Sequence, residues 1–190
     1  SGYTNENNGI YSPYVIRTDL SGGVLWDTIY SGNDWEFINN SVLLQNGNII
    51  VAGSTYRVGS GGPDAFAMII DSLGNIIWKK IFSGIMKDEI NSVNECVNGD
   101  IILCGTTYSY GAGGSDIWLL RLNSNGDTLW TKTFGGTMDD FGYSAEETLN
   151  GDIILSGSHQ SADSVLQLFI ARTDLNGIVI WEQTDTRTSD

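Results

Sequence analysis

Proline and cysteine are scarce in this 190-residue chain, two of each, and histidine occurs once. With 24 glycines and 41% hydrophobic residues against only two prolines, the composition excludes a collagen-like or disordered chain and predicts a turn-rich, strand-rich fold. Basic residues are equally sparse: nine lysines and arginines face 23 acids, a net charge of -14, which leaves no basic surface to displace counterions from nucleic acid. Cations or basic partners suit it better. No apolar run approaches the roughly 20 residues of a membrane-spanning helix, so no membrane insertion is expected. No stretch of ten or more residues keeps apolar positions at helical spacing without turn residues between them, so no helix is expected. The chain opens at Ser1 without an initiator methionine or a signal-peptide pattern, and any targeting segment is expected outside it.

What is present is repetition. Asn123-Ser124-Asn125-Gly126-Asp127-Thr128-Leu129-Trp130 is a polar turn leading into a strand, and Asp19 to Trp26, Asp71 to Trp78 and Asp174 to Trp181 repeat it. The tryptophans Trp26, Trp78, Trp130 and Trp181 stand 52, 52 and 51 residues apart, a period that marks stacked supersecondary units. A second signal, Asn46-Gly47-Asn48 followed by Ile49 to Gly53, recurs at Asn98 to Gly105 and Asn150 to Gly157, so Gly53, Gly105 and Gly157 are equivalent. Asn-Gly between strand-like runs predicts a two-residue hairpin turn. The run after it is apolar on both faces, Ile49 and Val51 pointing one way and Ile50 and Ala52 the other, as in a strand covered above and below.

Each period resolves into four strands, A to D. In the central repeat A is expected over 90–97, B over 100–106, C over 117–122 and D over 128–134, with A innermost and D outermost. A two-residue turn at Asn98-Gly99 would pair Cys96 with Ile101 and set Cys104 opposite Val93, placing the two thiols on opposite faces without a disulfide. Both are expected to be buried rather than reactive.

The tryptophan turn resembles the docking motif of pyrroloquinoline-quinone-like propeller repeats, with a spacing one residue shorter. The whole repeat, in Gly113-Gly114-Ser115-Asp116-Ile117-Trp118, Asn125 to Trp130, Phe134-Gly135-Gly136 and Asn150-Gly151-Asp152, is similar to the propeller repeats of large secreted and surface proteins of bacteria and archaea. These include Bacteroidota-type proteins exported with a carboxy-terminal sorting domain. The resemblance spans nearly the whole chain and implies an extracellular or cell-surface location. The period itself predicts an all-β protein, a β-propeller of four-stranded antiparallel blades with a repeat of about 52 residues. The chain covers about three and a half of them. The expected divisions are a partial blade over 1–36, blades over 37–88 and 89–140, and 141–190 as a blade with the start of the next connection. Further blades of the same polypeptide, or copies of the chain, are expected to complete the ring.

Because strands alternate in direction, the BC and DA connections share one rim, and only this rim has long loops: 56–64, 108–116 and 159–165 for BC, and 31–36, 83–88 and 135–140 for DA. Loops on a rigid frame are the usual place for recognition. Trp35, Tyr56, Tyr108 and Tyr110 there could stack on sugar rings or a partner's apolar groups, with Lys87 and His159 beside them, or pack blade edges instead. Glu36, Asp88 and Asp140 recur every 52 residues, which predicts loop capping through backbone N–H groups rather than catalysis. Arg17, Arg121 and Arg172 share a place in strand C and are expected to pair with a carboxylate between blades. No cofactor is expected. Asn123 to Asp127 faintly resembles a calcium loop but lacks a distal bidentate carboxylate. His159 has no nucleophile elbow in the sequence, and one histidine with two divergent cysteines makes a poor zinc site. The glycine runs 59–62 and 111–114 precede strands rather than helices, which does not suit phosphate binding.

These features predict a non-catalytic scaffold or binding module for a protein or glycan partner. Two other readings remain: a quinone-dependent or lyase-type enzyme whose central pocket is completed by other blades, and a mechanical spacer with no ligand.

Overall fold

The computed structural model describes residues 1–5, 9–57 and 61–185, and within them the only regular structure is β. The first sheet contains β1 (Gly2–Asn5), β2 (Tyr11–Thr18) and β3 (Val24–Ile29). The second contains β4 (Trp35–Leu43), β5 (Ile49–Tyr56), β6 (Asp64–Ile70) and β7 (Ile76–Phe82). The third contains β8 (Asp88–Glu95), β9 (Ile101–Thr107), β10 (Asp116–Leu122) and β11 (Thr128–Phe134), and the fourth β12 (Asp140–Glu147), β13 (Ile153–Gln160), β14 (Leu166–Thr173) and β15 (Val179–Thr184). All pairings are antiparallel between chain neighbours, so each full sheet runs A-B-C-D, and the first holds only B, C and D. Strands A begin at Trp35, Asp88 and Asp140, one or two residues before the expected divisions.

Three apolar cores fill the spaces between successive sheets. Val15, Val51, Phe66 and Met68 lie between the first and second, Ile50, Ala67, Val93 and Leu103 between the second and third, and Ile102, Leu119, Leu155 and Phe169 between the third and fourth. Strand A of each full blade packs across its predecessor: β8 against β4, β5 and β6, and β12 against β8, β9 and β10. This places strand A on the inside of the fan. It also explains why strands B and C are apolar on both faces while the outer strand D is largely exposed.

The tryptophan turns are the outer joints. The indole N–H of Trp26 donates to the Ser72 carbonyl (2.9 Å), that of Trp78 to Ser124 (3.0 Å) and that of Trp130 to Leu175 (3.0 Å), each acceptor lying in the CD turn of the next blade. The turn glycines Gly74, Gly126 and Gly177 adopt positive φ and lie under the same indoles, and a Cβ on Gly126 or Gly177 would press on the ring. Within these turns, hydrogen bonds hold carboxyls below their ordinary range: the Asn75 side chain acts on Asp71, the Ser21 hydroxyl on Asp19 and the Ile178 amide on Asp174.

The AB hairpins correct the sequence-based register. Cys96 N–H donates to Asp100 and Gly99 N–H to Cys96, closing a three-residue loop of Val97, Asn98 and Gly99; the same bonds recur around Gly47 and Gly151. A two-residue turn would need positive φ at both Asn and Gly, but only the glycines adopt it. The asparagines turn their side chains to the amide two residues on instead, as Asn98 Oδ1 does to Asp100 (3.0 Å). Glu95 therefore pairs with Ile101 and Ser92 with Cys104. A slip of one residue exchanges faces, so Cys96 and Cys104 lie on the same face, in the core between the third and fourth blades, both as free thiols. Burial pushes each up to about 12. At pH 8 only about one thiol in ten thousand is then thiolate. A disulfide-exchange reagent is expected to leave the native protein unlabelled over hours and to titrate two thiols at once in denaturant.

The arginines differ from expectation too. Arg121 and Arg172 meet carboxylates of their own blade, Asp100 (2.6 Å) and Asp152 (2.5 Å), because the AB turn ends beside strand C. Between blades they find carbonyls rather than carboxylates: Arg121 donates to Leu175, and Arg17 to Gly47 (3.2 Å) and Ser72 (3.4 Å).

Candidate functional site

The long BC and DA connections gather on one rim. The recurrent acids anchor them from beneath, each with different partners. Asp140 accepts from the amides of Gly136 (2.7 Å) and Gln160 (3.0 Å) and from His159 Nδ1 (2.7 Å). Asp88 accepts instead from the hydroxyls of Thr107 and Ser109, and Glu36 from Thr55 and the Lys79 ammonium. Backbone capping thus describes Asp140, while the other two meet side chains, from strands β5 and β7 for Glu36 and from β9 and the loop after it for Asp88. Asp116, buried beside Asp140, has its carboxyl pushed above the ordinary range by burial, with the Asp140 charge adding to it. Asp64 is buried as well and is paired with Arg57 (2.6 Å).

The aromatic residues singled out in the sequence separate into patches. Trp35 and Tyr56 pair across β4 and β5, half-exposed, at the edge of a cluster with Tyr3, Tyr11 and Phe37. Lys87 lies over the Tyr108 ring (5.9 Å) and is ion-paired with Glu89 (3.0 Å). The His159 ring is tilted against Phe169 and donates to Asp140, and among the described residues it bonds no serine, threonine or cysteine side chain. Tyr110 stands apart from these. It stacks on Trp118 with ring centroids 5.5 Å apart, and its hydroxyl donates to the Ser83 carbonyl of the second blade (2.7 Å).

Tyr110 and Trp118 line a cleft of about 410 Å³ between the second and third blades. Phe82 and Leu120 extend its apolar surface, and Ser83, Thr128, Thr131, Lys132 and Thr133 supply polar groups. The indole of Trp118 is tied to Thr131 Oγ1 (2.6 Å), which fixes the ring although only 4% of the residue is exposed. One cleft wall comes from a repeating position. Phe66, Trp118 and Phe169 all pair with the strand-B glycine and face the preceding blade. Phe134 packs against Phe169 at the joint of the third and fourth blades (6.4 Å), and its counterpart Phe82 lines the cleft at the joint of the second and third. Tyr110 was visible in the sequence as a rim aromatic. Trp118 was not, because a tryptophan within an apolar strand reads as core, and Phe82, Thr131 and Thr133 carry no signal of their own.

The segment resembling a calcium loop spends its oxygens on its own turn: Asn123 Oδ1 accepts from the amides of Asn125 and Asp127, and Asp127 meets Lys80. Among the described residues no three His, Cys, Asp or Glu side chains are arranged to hold a metal ion. The glycine run 111–114 is pinned by Asp116, whose carboxylate accepts the Ala112 amide (2.9 Å); residues 59 and 60 of the other run lie outside the described residues.

Radially arranged four-stranded antiparallel sheets, with A innermost and successive blades joined through strand D, make this protein a β-propeller. A family model described as a domain of unknown function (DUF5122) beta-propeller matches residues 98–128, from the AB turn of the third blade to the start of its strand D. No curated protein shows significant similarity to the chain.

Proposed function

We propose that the chain is a non-catalytic binding module of a secreted or cell-surface protein, and that it engages a glycan through the cleft between the second and third blades. The observation that carries this reading is the make-up of the cleft. The exposed Tyr110 ring, backed by the buried Trp118, forms an aromatic wall beside the hydroxyls of Ser83, Thr128, Thr131 and Thr133. A flat apolar wall with hydroxyls at its edge matches a neutral sugar ring, which has one C–H face and a hydroxyl perimeter. The volume suits one or two such rings, within the range of roughly 300–1,000 Å³ for small-molecule sites. The rigid Trp118 ring and the tethered Tyr110 are ordered before the ligand arrives, which lowers the entropic cost of binding.

Titration of the intact chain with a panel of neutral oligosaccharides, followed by tryptophan fluorescence and calorimetry, tests this. At least one is expected to bind saturably, with Tyr110→Ala weakening it about tenfold, the worth of one stacked ring at roughly 1.4 kcal/mol. Leu73→Ser, on the opposite rim, is expected to bind like the parent. Absence of saturable binding, or binding indifferent to Tyr110, would overturn the glycan reading and leave a protein partner for the rim.

A further inference from the structure

The cleft between the second and third blades has a direction, set by the strand register of its third-blade wall. Trp118 pairs with Thr133 and Leu120 with Thr131 across β10 and β11, and residues paired in this way share a face of the sheet. Strand C lies one place further in than strand D, so the wall changes character with depth. Trp118 and Leu120, 4% and 1% exposed, belong to the core at the cleft floor, while Thr131 and Thr133 stand exposed at its mouth. On the second-blade side the floor meets Phe82, half-buried against the same core. Lys132, between the two threonines, turns to the other face of β11, where its stem lies beside Gly177.

A ligand entering here sets one edge against carbon and keeps the opposite edge among hydroxyls. The polar groups nearest the floor are already committed, the Trp118 N–H to Thr131 Oγ1 (2.6 Å) and the Ser83 carbonyl to the Tyr110 hydroxyl (2.7 Å). An ordinary hexose carries hydroxyls around its whole perimeter, so whichever edge goes in first loses water from a hydroxyl that finds no partner. An N-acetyl group offers a methyl, but with it an amide N–H and carbonyl that need partners at the same depth. A 6-deoxyhexose matches the gradient, with an exocyclic methyl at one end of the ring and hydroxyls at the other.

We propose that the cleft selects a 6-deoxyhexose unit, seated with its methyl group against Phe82 and Leu120 and its ring hydroxyls toward Thr131 and Thr133. The assignment rests on the glycan reading of the cleft and narrows it to one class of sugar. Phe82 is the specificity-determining residue. The threonines hold a pyranose of either kind, and the carbon floor distinguishes methyl from hydroxymethyl.

Matched methyl glycosides that differ only in that hydroxyl serve as probes: L-rhamnose with L-mannose, L-fucose with L-galactose, and 6-deoxy-D-glucose with D-glucose. Each is titrated into the intact chain and followed by saturation-transfer NMR, beside the neutral oligosaccharide panel. In at least one pair the deoxy member is expected to saturate at millimolar concentration and to bind at least ~10-fold tighter than its partner. Phe82→Ser is expected to bring that pair within about twofold, while Phe82→Leu keeps the preference. Thr133→Val, at the exposed mouth, is expected to weaken both members alike by about threefold and leave their ratio unchanged. Equal affinity within every pair that binds, which the parent chain alone reveals, would overturn the inference and leave the glycan reading standing. So would binding of panel oligosaccharides with no deoxy member bound, or a preference that survives Phe82→Ser in a chain whose urea midpoint shows it folded. Absence of binding by any saccharide would overturn both readings.

Discussion

Gly105→Ala is expected to cost about 3 kcal/mol or more, although it adds a single methyl group. The added carbon would overlap the Glu89 carbonyl oxygen and press on the Ile90 Cα, both backbone atoms held by pairing on either side. A long side chain could swing aside; a bulged backbone between two packed sheets cannot. Relief requires unpairing β8 from β9, and with them the core that Val93 and Leu103 share with the second blade. Urea denaturation is the measurement, with a lowered midpoint at unchanged slope as the expected sign of lost stability. Gly2 pairs with Tyr14 as Gly105 pairs with Trp118 but meets open space, and Gly2→Ala is expected to fall within about 0.5 kcal/mol of the parent. Equal effects at the two glycines would contradict the bulge as the cause.

Trp130→Ala is expected to destabilise by about 3–5 kcal/mol. The indole packs on the core between the third and fourth blades, covers Gly177, and satisfies the Leu175 carbonyl that Arg121 also reaches. Trp130→Phe keeps most of the apolar contact and loses the N–H bond, so about 1–2 kcal/mol is expected. Trp181→Ala supplies the contrast. That indole is 39% exposed and donates to no carbonyl among the described residues, so less than about 1 kcal/mol is expected in thermal or urea melts.

Much of this fold is legible from letters alone, because its joints are built on backbone constraints that few residues meet. Gly74, Gly126 and Gly177 need positive φ and must leave room for an indole, so Gly and Trp keep their places and their spacing. Where several residues satisfy one constraint, the sequence misleads. Asn98-Gly99 fits a two-residue turn and a three-residue loop equally well as a string, and only the φ of Asn98 decides between them, which moved Cys96 to the other face. Arg121 and Arg172 read as links to a neighbouring carboxylate because charge is visible in a sequence and a carbonyl is not. The cleft was hidden for a third reason. It is a space between side chains of two blades, and a volume left unfilled has no letter.

The acceptors at the three outer joints are Ser72, Ser124 and Leu175, two serines and a leucine, and each is read only through its carbonyl. The donor recognises main chain and the missing side chain of a glycine, so the joint is indifferent to how far two modules have drifted apart in sequence. A duplicated module would fit its neighbour on arrival, with no compensating change across the seam. Lengthening such an array needs no invention at its joints. Selection can then act on one junction, such as the one holding Tyr110 and Trp118, while the others go on serving as mortar.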